Sequence, residues 1–144
     1  MKILIDTNIV IDVLAKREPF HVTSAQILRL SETGKITAFI TANSVTDIVY
    51  ILRKYIPDKS ILTLTIQNLL SIVDVADILK TDVLRAFELD FSDYEDALQA
   101  RCARRIKANY IVTRNPSDFA NSSVPALTPE SFLKELGSIE RSLP

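Results

Sequence analysis

Apolar and polar positions along this chain fall into short blocks whose spacing switches repeatedly between strand-like and helix-like periods. Lys2 to Ile5 reads as a first strand, and Thr7 to Leu14 as a helix ended by the segment Lys16-Arg17-Glu18-Pro19. A second helix is expected from about Thr23 to Thr33, with Ala25, Ile27, Leu28 and Leu30 on its apolar side and Gly34 as its C-terminal cap. Lys35 to Ile40 then reads as a strand. Val45, Ile48, Val49, Ile51 and Leu52 recur at helical spacing between Ser44 and Tyr55, where Pro57 stops the helix. Asp58 can cap the next helix, which runs to about Leu70. Ser71 to Ala76 gives a third strand and Asp77 to Glu88 a helix, after which Ser92-Asp93-Tyr94-Glu95, in capping-box form, opens a long helix to about Lys107. Asn109 to Thr113 is a fourth strand, Arg114 to Asp118 a Pro- and Asn-rich turn, and Ala126 to Leu127 a short fifth strand. A last helix covers Pro129 to Leu136, with proline in its first turn and Gly137 after it.

Strands alternating with helices pair in parallel through right-handed crossovers, which predicts a three-layer α/β/α sandwich of Rossmann-like topology around four or five parallel strands. A chain of 144 residues, 47% of them apolar, suits one domain spanning residues 1–144. The 17 basic and 18 acidic side chains nearly cancel, so any nucleic-acid contact relies on local basic patches. The single cysteine, Cys102, forms no intrachain disulfide, and no Cys/His cluster offers a zinc site. Asp6 breaks the opening apolar run well short of a signal peptide's, and no run approaches the roughly 20 residues that span a bilayer. A cytoplasmic protein without a membrane segment is expected. Two glycines, Gly34 and Gly137, leave no Gly-rich phosphate loop, and His21 and Cys102 stand without the partners of a nucleophilic triad.

The chemistry concentrates in aspartates. In a parallel α/β sheet, strand C-termini and helix N-termini share the rim where ligands bind, and Asp6, Asp47, Asp93, Asp96 and Asp118 all fall on or just after such junctions. Each also has a plainer role open to it. Asp6 can cap the first helix, Asp47 can close a Ser44-x-x-Asp47 box, Asp93 can face a helix dipole and Asp118 can serve a turn. Taken together the plain roles weaken, because carboxylates crowded on one rim repel one another unless a cation lies between them. Oxygen-only ligands suit Mg²⁺ or Mn²⁺, and such a site suits phosphodiester hydrolysis. Asp93, Asp96 and Ala100 share one helix face, with Ala97 and Ala103 nearby. Arg53, Lys54, Arg101, Arg104, Arg105, Lys107 and Arg114 are cations that can track a sugar-phosphate backbone or, for most of them, simply solvate a surface.

The chain resembles the PIN-domain family, which includes the toxin nucleases of bacterial toxin–antitoxin pairs (VapC type). The resemblance covers nearly the whole chain and is carried by three segments in order: Ile5-Asp6-Thr7-Asn8-Ile9-Val10-Ile11-Asp12, Asp93-Tyr94-Glu95-Asp96-Ala97-Leu98-Gln99-Ala100, and Ile111-Val112-Thr113-Arg114-Asn115-Pro116-Ser117-Asp118-Phe119. It implies metal binding by Asp6 and Asp96, with Asp118 as a further ligand, and a catalytic set of Asp6, Asp47, Asp96 and Asp118; Asp93, on the same rim, is a fourth candidate metal ligand. Asp47 stands where the family usually has glutamate. The fourth acid varies in the family between the residue after Thr-Arg, here Asn115, and the aspartate of the Asp-Phe pair, here Asp118. Asn8 and Thr113 match polar residues that position a phosphate, a metal water or a neighbouring carboxylate, and Arg114 and Asn115 join them on the substrate side. The resemblance further implies Mg²⁺ or Mn²⁺ dependence, hydrolysis of RNA phosphodiesters by metal-activated water, a cognate antitoxin partner and a homodimer.

Two other readings stay open: a PIN fold retained as an RNA- or partner-binding module, and an aspartate-based phosphotransfer domain. A dehalogenase-like phosphatase wants a second aspartate where Asn8 stands. A receiver domain wants a lysine at a late strand end, where Thr113-Arg114 has none.

Overall fold

A computed structural model describes all residues, Met1 to Pro144. Five strands, β1 (Lys2–Ile5), β2 (Thr37–Thr41), β3 (Asp74–Ala76), β4 (Tyr110–Val112) and β5 (Ala126–Leu127), form one all-parallel sheet in the order β3-β2-β1-β4-β5. Seven helices complete three layers: α1 (Thr7–Leu14), α2 (His21–Glu32), α3 (Ala42–Leu52), α4 (Lys59–Ile72), α5 (Lys80–Ala86), α6 (Tyr94–Arg105) and α7 (Pro129–Ser142). The five-stranded form of the expected α/β/α sandwich is the one adopted.

The strand period of two sorts the core. Ile3 and Ile5 of β1, Ala38 and Ile40 of β2 and Val112 of β4 face one side, where Ile9, Ile27, Ile48, Leu52, Ile66 and Phe132 from α1, α2, α3, α4 and α7 close over them. Leu4 and Ile111 face the other side, against Ala100 and Ala103 of α6 and Phe119. β1 is covered on both faces and therefore reads as an unbroken apolar run. No helix is long and apolar enough to cross a membrane.

Boundaries depart from the sequence expectation where local signals lose to packing. α7 runs through Gly137 to Ser142, because that glycine keeps negative φ, whereas Gly34, at φ +75°, ends α2 as expected. α3 begins at Ala42, two residues before Ser44; that serine is buried, hydrogen-bonding Thr7 Oγ1 at 2.8 Å and Thr41 Oγ1 at 2.7 Å instead of capping. α4 takes Ser71 and Ile72 from the expected third strand. α5 starts at Lys80, where buried Asp82 accepts a hydrogen bond from the Leu79 N–H at 3.0 Å, so Asp77 lies outside the helix. Asp58 caps α4 as expected, accepting from Ser60 and Ile61 N–H.

Candidate active site

β1 ends at Ile5, and the next residue delivers its carboxylate to the rim. The Asp6 N–H is fixed on Val112 O at 2.9 Å, so the sheet ladder sets the position of the side chain. That side chain is almost fully buried, and both its oxygens are taken: Oδ1 accepts from Gln99 Nε2 at 3.2 Å and Oδ2 from Thr113 Oγ1 at 2.8 Å. Thr113 Oγ1 also accepts the Asn115 N–H at 3.2 Å, which directs its own proton to Asp6. These neutral donors orient the carboxylate without cancelling its charge.

α6 brings in the second group of acids. Asp93 is the N-cap, its carboxylate accepting the Asp96 N–H at 3.1 Å, so the capping role expected of Ser92 belongs to its neighbour. Glu95, freed from that box, turns to the rim with Asp96 and Gln99. Asp47 arrives from α3, and Asn115 and Asp118 from the segment after β4, where residues Pro116–Phe119 form a 3₁₀ turn. Asp6, Asp47, Asp93, Glu95, Asp96 and Asp118 thus line one cavity of about 380 Å³ together with Asn8, Gln99, Asn115 and the ring of Tyr50. No lysine, arginine or histidine shares the lining.

Crowding shows in the protonation equilibria. Burial first, then the charges of Asp6, Asp93 and Asp118, push the Asp96 carboxyl up to about 6. Burial, then Asp47 through both its charge and a hydrogen bond, then Asp93 and Asp6, push Glu95 up to about 7. No three of the acids close on a common point. The donors nonetheless suit a hard divalent ion: every candidate ligand is oxygen, and the Oε1 of Gln99, itself buried, has no hydrogen-bond partner.

Among the residues singled out in the sequence, Asp6, Asn8, Asp47, Asp93, Asp96, Asn115 and Asp118 meet at this cavity, and Thr113 stands behind Asp6. Arg114 faces away from it. Its Nε lies 3.1 Å from Asp12 Oδ2, and its guanidinium carbon sits 4.3 Å from the centre of the Phe20 ring. Glu95 and Gln99 were not singled out, although helical spacing carried the signal: Gln99 follows Asp96 by three residues.

A sequence model of the PIN domain matches residues 2–117. The chain belongs to the PIN-domain family. Over 143 residues this PIN domain is 26% identical to the Ribonuclease VapC1 of Aquifex aeolicus (strain VF5), a match that covers 96% of this chain and 97% of that one. Among solved structures, it is similar to VapBC2 from Rickettsia felis bound to a DNA fragment from their promoter, with a TM-score of 0.68 at 20% identity over 89% of this chain and 98% of that one. A toxin–antitoxin complex from Klebsiella pneumoniae gives a TM-score of 0.66 at 23% identity over 88% and 96% of the two chains.

Proposed function

We propose that this PIN domain is a metal-dependent endoribonuclease hydrolysing RNA phosphodiester bonds, and that it is the toxin of a toxin–antitoxin pair, cytoplasmic, homodimeric and held in check by a cognate antitoxin. The observation that carries the reading is the cavity of six carboxylates without a basic side chain, centred on an aspartate whose two oxygens are already oriented. The ribonuclease relative matched end to end supports RNA as substrate, and the toxin–antitoxin complexes among the similar structures support the antitoxin.

Asp6, Asp93, Asp96 and Asp118 are the residues that would hold Mg²⁺ or Mn²⁺. The chemistry such an ion supplies is charge neutralisation at the phosphate and acidification of water. The chain's own part is orientation. Thr113 and Gln99 hold Asp6 in one rotamer, so no reorganisation is needed when substrate arrives. Asp47 reaches less far than the glutamate usual at its place, and after burial its charge is the next cause that pushes the Glu95 carboxyl up to about 7. Asn8 and Asn115 offer uncharged amide donors at the mouth for phosphate oxygens. Arg114 works from behind, tying the 113–118 segment to α1 through Asp12.

Purified protein incubated with single-stranded and structured RNA in Mg²⁺ or Mn²⁺ tests the reading, alongside EDTA and the variants Asp6→Asn and Asp96→Asn. The expected outcome is cleavage abolished by EDTA and by each substitution. Equal cleavage by the variants would sink the aspartate mechanism, and tight RNA binding without cleavage would make the protein a binding module.

A further inference from the structure

A second cavity, of about 220 Å³, opens farther along α6 and has the opposite electrostatic character. Three arginines line it, Arg85 from α5 and Arg101 and Arg104 from α6, and face Ser122 and Ser123 on the loop after the 3₁₀ turn. The one carboxylate in the lining, Glu88, meets Arg85 only at 3.9 Å and in an exposed setting, so it compensates little.

The donors of this cavity are not used up by the protein. Asp82, beneath it, gives its Oδ2 to Arg105 Nε at 2.8 Å and to the Leu79 N–H, while Arg101 Nε stays 3.6 Å from Oδ1, beyond hydrogen-bonding range, and is buried without a partner. Arg104 is exposed and forms no ion pair. Arg17, Arg105 and Arg114, by contrast, are committed to Asp12, Asp77 and Asp82. On the loop, Ser122 Oγ accepts the Val124 N–H at 3.1 Å, which leaves its proton to donate outward. Asn121 Nδ2 donates to Asp90 O at 2.6 Å and pins the loop beside the helix. Guanidinium forks facing hydroxyl donors match the oxygens of a phosphate group.

Position along α6 says which phosphate. Asp93, Asp96, Ala100 and Arg104 succeed one another at helical spacing down one side of the helix. Eight residues at ~1.5 Å each put Arg104 about 12 Å beyond Asp96 along the axis. A stacked strand rises ~3.4 Å per nucleotide, so that distance is roughly three or four nucleotides. We infer that the arginine cavity is a subsite for a backbone phosphate of the RNA, three or four nucleotides from the one at the acid cavity. The inference rests on the ribonuclease reading of that acid cavity. It also answers how a chain of net charge −1 with an acidic active site holds a polyanion: the strand is gripped beside the site and presented to it.

The test is a fluorescence-anisotropy titration of labelled single-stranded RNA with the full chain in EDTA, over a range of salt, for wild type, the double variant Arg85→Ala/Arg104→Ala, and Arg104→Lys. Both arginines are exposed, so melting curves should coincide. The double variant is expected to bind about tenfold more weakly, with the slope of log K against log salt smaller by roughly 0.7, one single-strand phosphate contact. Arg104→Lys, which keeps the charge and loses the fork, should fall between wild type and the double variant. An unchanged Kd and salt slope in a protein that cleaves RNA would overturn the subsite and leave the ribonuclease reading standing. A wild type that neither binds nor cleaves RNA would overturn that reading itself. Inorganic phosphate that shifts the Arg101 and Arg104 side-chain NMR signals, but is not displaced by RNA, would assign the cavity to a free anion and overturn the RNA subsite.

Discussion

Two kinds of aspartate stand close together here and meet opposite fates. Asp12 and Asp82 are both 0% exposed, and each is answered by arginine: Asp12 by Arg114 at 3.1 Å and Arg17 at 3.7 Å, Asp82 by Arg105 at 2.8 Å and Arg101 at 3.6 Å. Asp6, Asp96 and their neighbours on the rim are answered only by neutral donors and by one another. Burial raises the Asp12 carboxyl above its usual range while the two arginines pull it back; at Asp96 burial and the neighbouring carboxylates raise it and nothing pulls back. An aspartate compensated within the chain becomes a structural tie, and one left uncompensated reserves its charge for something brought from outside.

The comparison breaks most visibly at Asp82. Its replacement by alanine removes the buried carboxylate that accepts from Arg105 Nε and the Leu79 N–H and faces Arg101, and should cost about 3–5 kcal/mol, read by urea denaturation. A loss below about 1 kcal/mol would mean that the cluster is solvated. Thr113→Val removes only the bond that orients Asp6, so RNA cleavage should fall roughly 10–100-fold at nearly unchanged stability, with Thr113→Ser restoring most of the rate.

The pH dependence sharpens the contrast next. Asp96 and Glu95 have folded-state pKa values of about 6 and about 7, above the ordinary 3.8 and 4.5, so the folded chain keeps protons that the unfolded chain releases. Their contribution to stability is therefore favourable at low pH and is lost as pH rises from about 4 through 7. Thermal melts across that range should show this decline, and Mg²⁺ should raise the melting temperature more at pH 7.5 than at pH 5. An equal rise at both would argue against a carboxylate site for the ion. Smallest of all, Asp96→Asn relieves repulsion on a partly exposed rim, and a gain of about 0.5 kcal/mol at pH 7.5 is expected, opposite in sign to Asp82→Ala.

Much of the rim could be read in the sequence because its residues sit at element junctions, where local signals are strongest. Asp6 follows an apolar strand, Asp93 and Asp96 open a helix, and Asp118 lies in a Pro- and Asn-rich turn. What could not be read was partnership. Nothing local to Thr113-Arg114 tells that Thr113 turns inward to Asp6, 107 residues away, while Arg114 turns back to Asp12. Glu95 looked like the acid of a capping box because Ser92 and Asp93 are equally good caps in sequence, and only the path of the chain into α6 made Asp93 the cap. Arg101 and Arg105 looked like members of a solvated helix face, since Asp82, which draws them down, lies about 20 residues away on another helix.

The sequence by itself determined the alternation of strands and helices, the parallel sheet, and the set of acids that must share its rim, because hydrophobic period and junction chemistry act over a few residues. Tertiary structure alone decided which charges are spent and which stay available. Compensation between charges falls off over a few ångströms in space and takes no account of separation along the chain. Three arginines therefore became ties to Asp12, Asp77 and Asp82, Arg101 came to lie between Asp82 and a second cavity that Arg85 and Arg104 also line, and six carboxylates were left to face one another.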